Sequence, residues 1–329
     1  MTVQFVLEPF DPCPLSRQGL LDGGTASTTD LMALDIQCKY LFLDEEGQVY
    51  HQYSLPTNAD IHNCAGYVDK VVKYRDPALL HHFQTHGVKL ASLQSDAFPI
   101  LASRSPQLDL ILFDLIRHLR INLGLKRVSL FDLGCTVAEH WDLLDVMLQA
   151  ASAGKDHAAA VLSYCGLDKS VMLLTIARLL HHELAPEHFR LIKADGSRFV
   201  IADQEFDLSL SVGVINHVAA PLLALEKIIR ATRYASVLAL WVTLEDQGFS
   251  AIVHSGLPFY FFSKKDILSF QALHPEGRFY LLNFIPESDN PQERSFIGIG
   301  QERIKQLGCY HLVYTTLAQP PFAADLLQP

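Results

Sequence analysis

Arg127-Val128-Ser129-Leu130-Phe131-Asp132-Leu133-Gly134-Cys135-Thr136-Val137-Ala138 is the stretch on which the reading of this chain turns. A short apolar, β-favouring run ends on a carboxylate and a glycine, and a helical pattern follows near 138 to 152. Gly134 permits a tight turn and close approach of backbone to a ligand, while Asp132 places an acid at the strand end. Strand, sharp turn and helix in that order begin a βαβ unit.

Downstream the same alternation repeats. AAVLSYCGL (159–167), FRLIKA (189–194), FDLSLSV (206–212) and SVLALWVTL (236–244) read as strands, with helices at 170–184, 220–232 and 264–273 between and after them. Final strands are expected near 278–285, 294–300 and 308–316, letting the sheet end with an antiparallel pair. Such alternation predicts an α/β fold with a mostly parallel sheet and right-handed connections.

Upstream, Ser105-Pro106 opens a helix that Gly124 closes, with Leu108, Ile111, Leu112, Leu115, Ile116 and Leu119 at helical spacing on one stripe. Asp76, Pro77 and Gly87 are the N-cap, first-turn proline and C-terminal glycine of another helix. Gln37 to Tyr53 reads as a β-hairpin around Asp44-Glu45-Glu46-Gly47, and the first 35 residues carry little periodicity. We therefore divide the chain into an α+β accessory or cap segment, 1–104, and a main domain, 105–329.

Composition narrows the function classes. A formal net charge of -10, with both signs interspersed, offers no broad basic face for phosphates and argues against a nucleic-acid substrate. No run approaches the roughly 20 apolar residues of a membrane span, and MTVQFVLEPFDPCP lacks a basic-then-apolar leader, so a cytoplasmic protein is expected. Six cysteines without CxxC spacing read as reduced and buried. His81, His82, His86, His181 and His182 cluster, but adjacent helical residues point to different faces, so no metal is expected.

In a parallel sheet, ligands gather outside the carboxyl ends of the strands. Four such stations occur here. Asp132 and Gly134 follow the first strand, and Asp168-Lys169-Ser170 the second, with Asp168 placed to accept both hydroxyls of a ribose. Ala194-Asp195-Gly196-Ser197 follows the third, and Ser211-Val212-Gly213-Val214-Ile215-Asn216-His217 the fourth.

Taken in order, the four stations over residues 127 to 245 resemble the motifs of class I S-adenosylmethionine-dependent methyltransferases. The resemblance implies a Rossmann-like, mostly parallel seven-stranded sheet with helices on both faces. It also implies S-adenosylmethionine as cofactor and S-adenosylhomocysteine as product. Gly134 and the loop through Thr136 would lie against the methionyl part, Asp132 near its amino group, and Asp168 with Lys169 at the ribose. Asp195 and Gly196 would meet adenine, and Ser211 would lie on the route to the acceptor. Thr136 and Ala138 stand where the family's first motif has its second and third glycines. A pyrophosphate would need those glycines, whereas a sulfonium cofactor carries no phosphate.

Methyl transfer from a sulfonium is an in-line displacement, to which a protein contributes alignment and exclusion of water. Where the acceptor must lose a proton, His217 and His254 are the candidate bases, and His140 packs or contacts cofactor. The aromatic run Pro258-Phe259-Tyr260-Phe261-Phe262 either lines a pocket or packs between layers, Trp241 is core, and Ser263 caps the next helix. The expected function is O-, N- or C-methylation of a small-molecule or peptide-like acceptor, with the N-terminal segment shaping the acceptor site or forming a homodimer. Two other classes fit the same fold: a cyclase or isomerase that leaves the cofactor unconsumed, and a non-catalytic partner subunit.

Overall fold

The computed structural model describes residues 40–43, 49–52, 58–102, 104–194, 196, 199–253, 258–286, 296–297, 299 and 301–327. The chain divides into two compact units, residues 1–113 with 134–194, and 114–133 with 195–329.

In the first unit, β1 (Tyr40–Leu43) and β2 (Val49–Gln52) pair antiparallel as expected, and the loop read at Asp44-Glu45-Glu46-Gly47 lies outside the described residues. Helices α1 (Asn58–Tyr74) and α2 (Pro77–His86) follow. The Asp76 side chain accepts from Ala78 N at 2.8 Å, and Gly87 ends α2 at a φ of 78° with its N–H on Phe83 O, as the capping residues dictate. Helix α3 (Arg104–Ile121), whose residues from Asp114 onward belong to the second unit, begins one residue before the expected Ser105, and all but Ile111 of its apolar stripe is buried.

The unit continues through α4 (Glu139–Ala151), β4 (Leu162–Asp168), α5 (Val171–Leu180) and β5 (Phe189–Lys193). Strands β4 and β5 run parallel, from Tyr164 opposite Phe189 to Asp168 opposite Lys193, and those first two rings stack at 5.1 Å. The strand expected from 159 starts only at Leu162, because Ala158–Val161 forms a helical turn. Alanine is the best helix former, and the Asp145 carboxylate caps the turn by accepting from Ala158 N at 2.6 Å. Helix α5 likewise stops at Leu180 rather than 184. There the Ala177 carbonyl accepts from His181 N at 3.1 Å and also meets the His181 ring nitrogen at 2.8 Å.

The second unit holds β3 (Val128–Leu133), β6 (Phe206–Val212), α6 (Pro221–Arg230) and β7 (Thr232–Thr243). Strands β3, β6 and β7 are parallel neighbours. An antiparallel pair follows, β8 (Phe249–Val253) with β9 (Pro258–Ser263), and β9 adds parallel to the end of β7 at Val242 and Thr243. Helix α7 (Lys264–Leu273) opens on a capping box, Ser263 with Asp266.

The chain closes with β10 (Arg278–Pro286), β11 (Phe296–Ile297), β12 (Leu307–Thr315) and β13 (Asp325–Leu326). Strand β12 runs antiparallel to both β7 and β10, and all nine of its residues are buried. It therefore enters the parallel array reversed. Of the strand expected at 294–300, Phe296–Ile297 is described as strand and pairs with β8 instead of the terminal pair; residues 294, 295, 298 and 300 lie outside the described residues. Helices alternating with parallel strands, with β12 reversed beside β7, make this a Rossmann-like α/β fold. Among the described residues no helix is long and apolar enough to cross a membrane.

Candidate functional site

The loop after β3 is built from backbone geometry. Gly134 has a φ of 83°, as a tight turn permits, but Thr136 at 50° and Ala138 at 63° also occupy the left-handed region. The two residues that stand for glycines thus keep a glycine's backbone. Gly134 N and Cys135 N both donate to Leu167 O, at 2.7 and 3.1 Å. Thr136 N donates to Asp168 Oδ2 at 3.1 Å, and Ser170 N to Asp168 Oδ1 at 2.8 Å. The loop is stitched to the end of β4, and both carboxylate oxygens of buried Asp168 are held in orientation. Gly166 makes the approach feasible, since a Cβ there would lie 2.7 Å from Cys135 Sγ. Lys169 is exposed.

Behind the loop lies a buried charged layer. The Thr136 hydroxyl donates to Glu139 Oε2 at 2.5 Å, and Lys70 Nζ of α1 stands 3.6 Å from Glu139 Oε1. His140 Nδ1 meets Asp109 of α3 at 2.8 Å. Asp142 takes Arg75 at 2.5 Å and His181 at 2.9 Å. His140 therefore packs against a carboxylate, the first of the two roles expected of it. Burial pushes the Asp109 carboxyl above its ordinary range, with His140 and Lys70 opposing and Glu139 adding to the shift. Tyr74 is raised too, by burial first and then by Asp109, Glu139 and Asp142.

In the second unit, Asp132 is buried on β3 opposite Leu210, and the buried Ser211 hydroxyl donates to Leu133 O at 3.2 Å. Gly196 is enclosed: a Cβ there would come within 2.8 Å of Val218 Cγ1. Asn216 is a clamp, donating to Trp241 O at 2.9 Å and Tyr260 O at 2.5 Å and accepting from Trp241 N at 3.0 Å. His217 lies on the short helical turn Ile215–His217 with its ring edge-on to Phe259 at 4.6 Å.

The aromatic run packs between layers, the second of its two readings. Phe259, Phe261 and Phe262 are buried, and the Tyr260 hydroxyl donates to Asp266 at 3.2 Å. Burial and the Asp266 carboxylate together push Tyr260 up to about 12. Asp195 and His254 lie outside the described residues.

Gly134, Thr136 and Asp168 are thus brought together, whereas Lys169 is turned to solvent. Glu139 and Asn216 were not singled out by the sequence reading. The Thr136-x-x-Glu139 spacing is that of a capping box and could have marked the first, although here the two side chains bond each other. Nothing in the local pattern marks Asn216 as a clamp, because its partners are distant in sequence.

A family model described as a methyltransferase domain matches residues 144–240. Over that stretch the chain is similar to a methyltransferase domain. The matched range starts within α4, beyond the loop, takes in the stations after β4, β5 and β6, and ends within β7. No curated protein sequence matches the chain. Among solved structures, the chain is similar to the [4+2]-cyclase SpnF, at 17% identity over 62% of this chain and 79% of that one, TM-score 0.39. An S-adenosylmethionine-dependent methyltransferase from Methanosarcina mazei is 12% identical over 60% of this chain and 97% of its own, TM-score 0.36. The 1,6-didemethyltoxoflavin-N1-methyltransferase of Burkholderia thailandensis is 11% identical over 85% and 96%, TM-score 0.37.

Proposed function

We propose that the chain binds S-adenosylmethionine at the loop after β3 and transfers its methyl group to a small-molecule or peptide-like acceptor. The supporting observation is the backbone of that loop. Thr136 and Ala138 hold left-handed conformations that cost a residue with a Cβ on the order of 1–3 kcal/mol. Such cost is tolerated where the conformation itself is used, and a glycine-like loop leading into a helix is what the cofactor of this family requires.

Within the reading, Gly134 and Thr136 present backbone to the methionyl part, and Asp168, its orientation fixed by two N–H donors, accepts from the ribose hydroxyls. Asp132, two residues before Gly134, is proposed to face the amino group. When bound, the cofactor supplies an electrophilic methyl on a sulfonium, so the protein's task is alignment and exclusion of water. For an acceptor that carries a proton to be lost, His217 is the proposed base.

Calorimetric titration with S-adenosylhomocysteine tests the cofactor half, and saturable one-to-one binding is the expected result. Mass spectrometry of candidate acceptors with S-adenosylmethionine tests the transfer, the expected product being singly methylated acceptor with equimolar S-adenosylhomocysteine. A different product formed with cofactor unconsumed would place the chain with cyclases or isomerases. Absence of any binding would leave a partner subunit. The start of the family match beyond the loop, together with the Cβ atoms of Thr136 and Ala138, is what favours keeping these alternatives in the test.

A further inference from the structure

We propose that Glu139 is a positioning residue, holding Thr136 in the left-handed conformation of the loop through the threonine hydroxyl and tethering that loop to helix α1 through Lys70. Its ligand rests on the cofactor reading above; the tie itself rests on geometry.

Threonine is β-branched, and a φ of 50° is among the conformations it adopts least. Glycine would occupy it at no steric cost. The bond from the position 136 N–H to Asp168 is open to any residue there, glycine included, so it does not explain why threonine is tolerated. What threonine adds is a hydroxyl, and that hydroxyl donates to Glu139 Oε2 at 2.5 Å. Bonds to a carboxylate are the short, strong kind.

Glu139 is only 4% exposed, so its charge must be compensated locally. The Thr136 hydroxyl and Lys70 at 3.6 Å do this. The direction of the Glu139 side chain is fixed one residue earlier, where Ala138 is itself left-handed and its N–H bonds Cys135 O at 2.7 Å. Two non-glycine residues and one acid therefore reproduce what glycines would otherwise do, and they link the loop to a helix from the N-terminal part of the chain.

A double-mutant cycle on the full chain decides the matter, combining Glu139→Ala with Thr136→Gly. Two quantities are read, the Kd for S-adenosylhomocysteine and the unfolding midpoint of the unliganded protein. With Thr136 present, Glu139→Ala should weaken binding about tenfold, because the competent loop becomes a minor conformer; with Thr136→Gly the same change should cost about twofold or less. Glu139→Gln keeps an acceptor for the hydroxyl and should hold binding within about threefold of the parent. Equal losses in both backgrounds, or no loss in either, would overturn the proposal. If the parent chain does not bind S-adenosylhomocysteine, the cofactor reading falls by itself. The midpoints then decide, with a drop for Glu139→Ala that Thr136→Gly suppresses supporting the tie, and additive drops removing it.

Discussion

At Gly196 an added methyl group would stand 2.8 Å from Val218 Cγ1 and 3.5 Å from Leu133 Cδ1, all within one unit's interior. Gly196→Ala is expected to cost about 1–3 kcal/mol, the usual range for overpacking, and Val218→Ala in the same chain should recover part of it. Urea midpoints check both, and an unchanged midpoint in the single variant would show that Val218 simply moves aside. Asp168→Ala should remove about 1–3 kcal/mol by stranding the N–H groups of Thr136 and Ser170, and should weaken S-adenosylhomocysteine binding beyond detection of the parent's range. Gly134 and Asp168 were legible in the sequence because a strand end followed by glycine or acid is a positional signal. The left-handed backbone of Thr136 was not, since φ there is imposed by bonds to Asp168 and Glu139 rather than by the residue's own preference.

Among the elements, the ends of β7 and β9 depend on one side chain. Asn216 satisfies Trp241 N, Trp241 O and Tyr260 O, so Asn216→Ala leaves one donor and two acceptors buried and should lower stability by about 3 kcal/mol. Asn216→Asp should do no better, because it keeps the bond from Trp241 N but sets a carboxylate against two carbonyl oxygens. Denaturant titration measures both, and an aspartate variant near parental stability would contradict the clamp. Helices closed by capping residues were readable from sequence, as Asp76, Gly87 and Ser263 show. Ala158–Val161 was misread because a four-residue apolar run serves a helix turn as well as a strand, and Asp145, thirteen residues earlier, settles it. The β8–β9 pair went unseen as an addition to β7 because only two residue pairs join it there, and those are contacts between distant segments.

For the molecule as a whole, the buried layer around Asp109 makes stability depend on pH. An aspartic acid in the unfolded chain ionises near pH 4, roughly. Burial raises the folded Asp109 carboxyl above that, against the pull of His140 and Lys70 and with the push of Glu139. Between the two values the native state binds more protons than the unfolded one, so stability falls as pH rises from the unfolded value through the folded one. Asp109→Asn should flatten that part of the curve, measured as urea midpoints stepped through the acid range; an identical slope in the variant would clear Asp109 as its source.

Strand β12 has one more consequence. It is buried at all nine positions between β7 and β10, and it comes last among the long strands. During synthesis the antiparallel edge of β7, complete at Thr243, waits for Leu307 to emerge, a delay on the order of seconds at about 5–20 residues per second. Until then β7 offers an open, apolar template that another nascent chain could pair with. The nascent polypeptide's dependence on chaperones should therefore be concentrated in that interval, and ribosome-stalled chains ending before residue 307 should aggregate where chains extending past β12 do not.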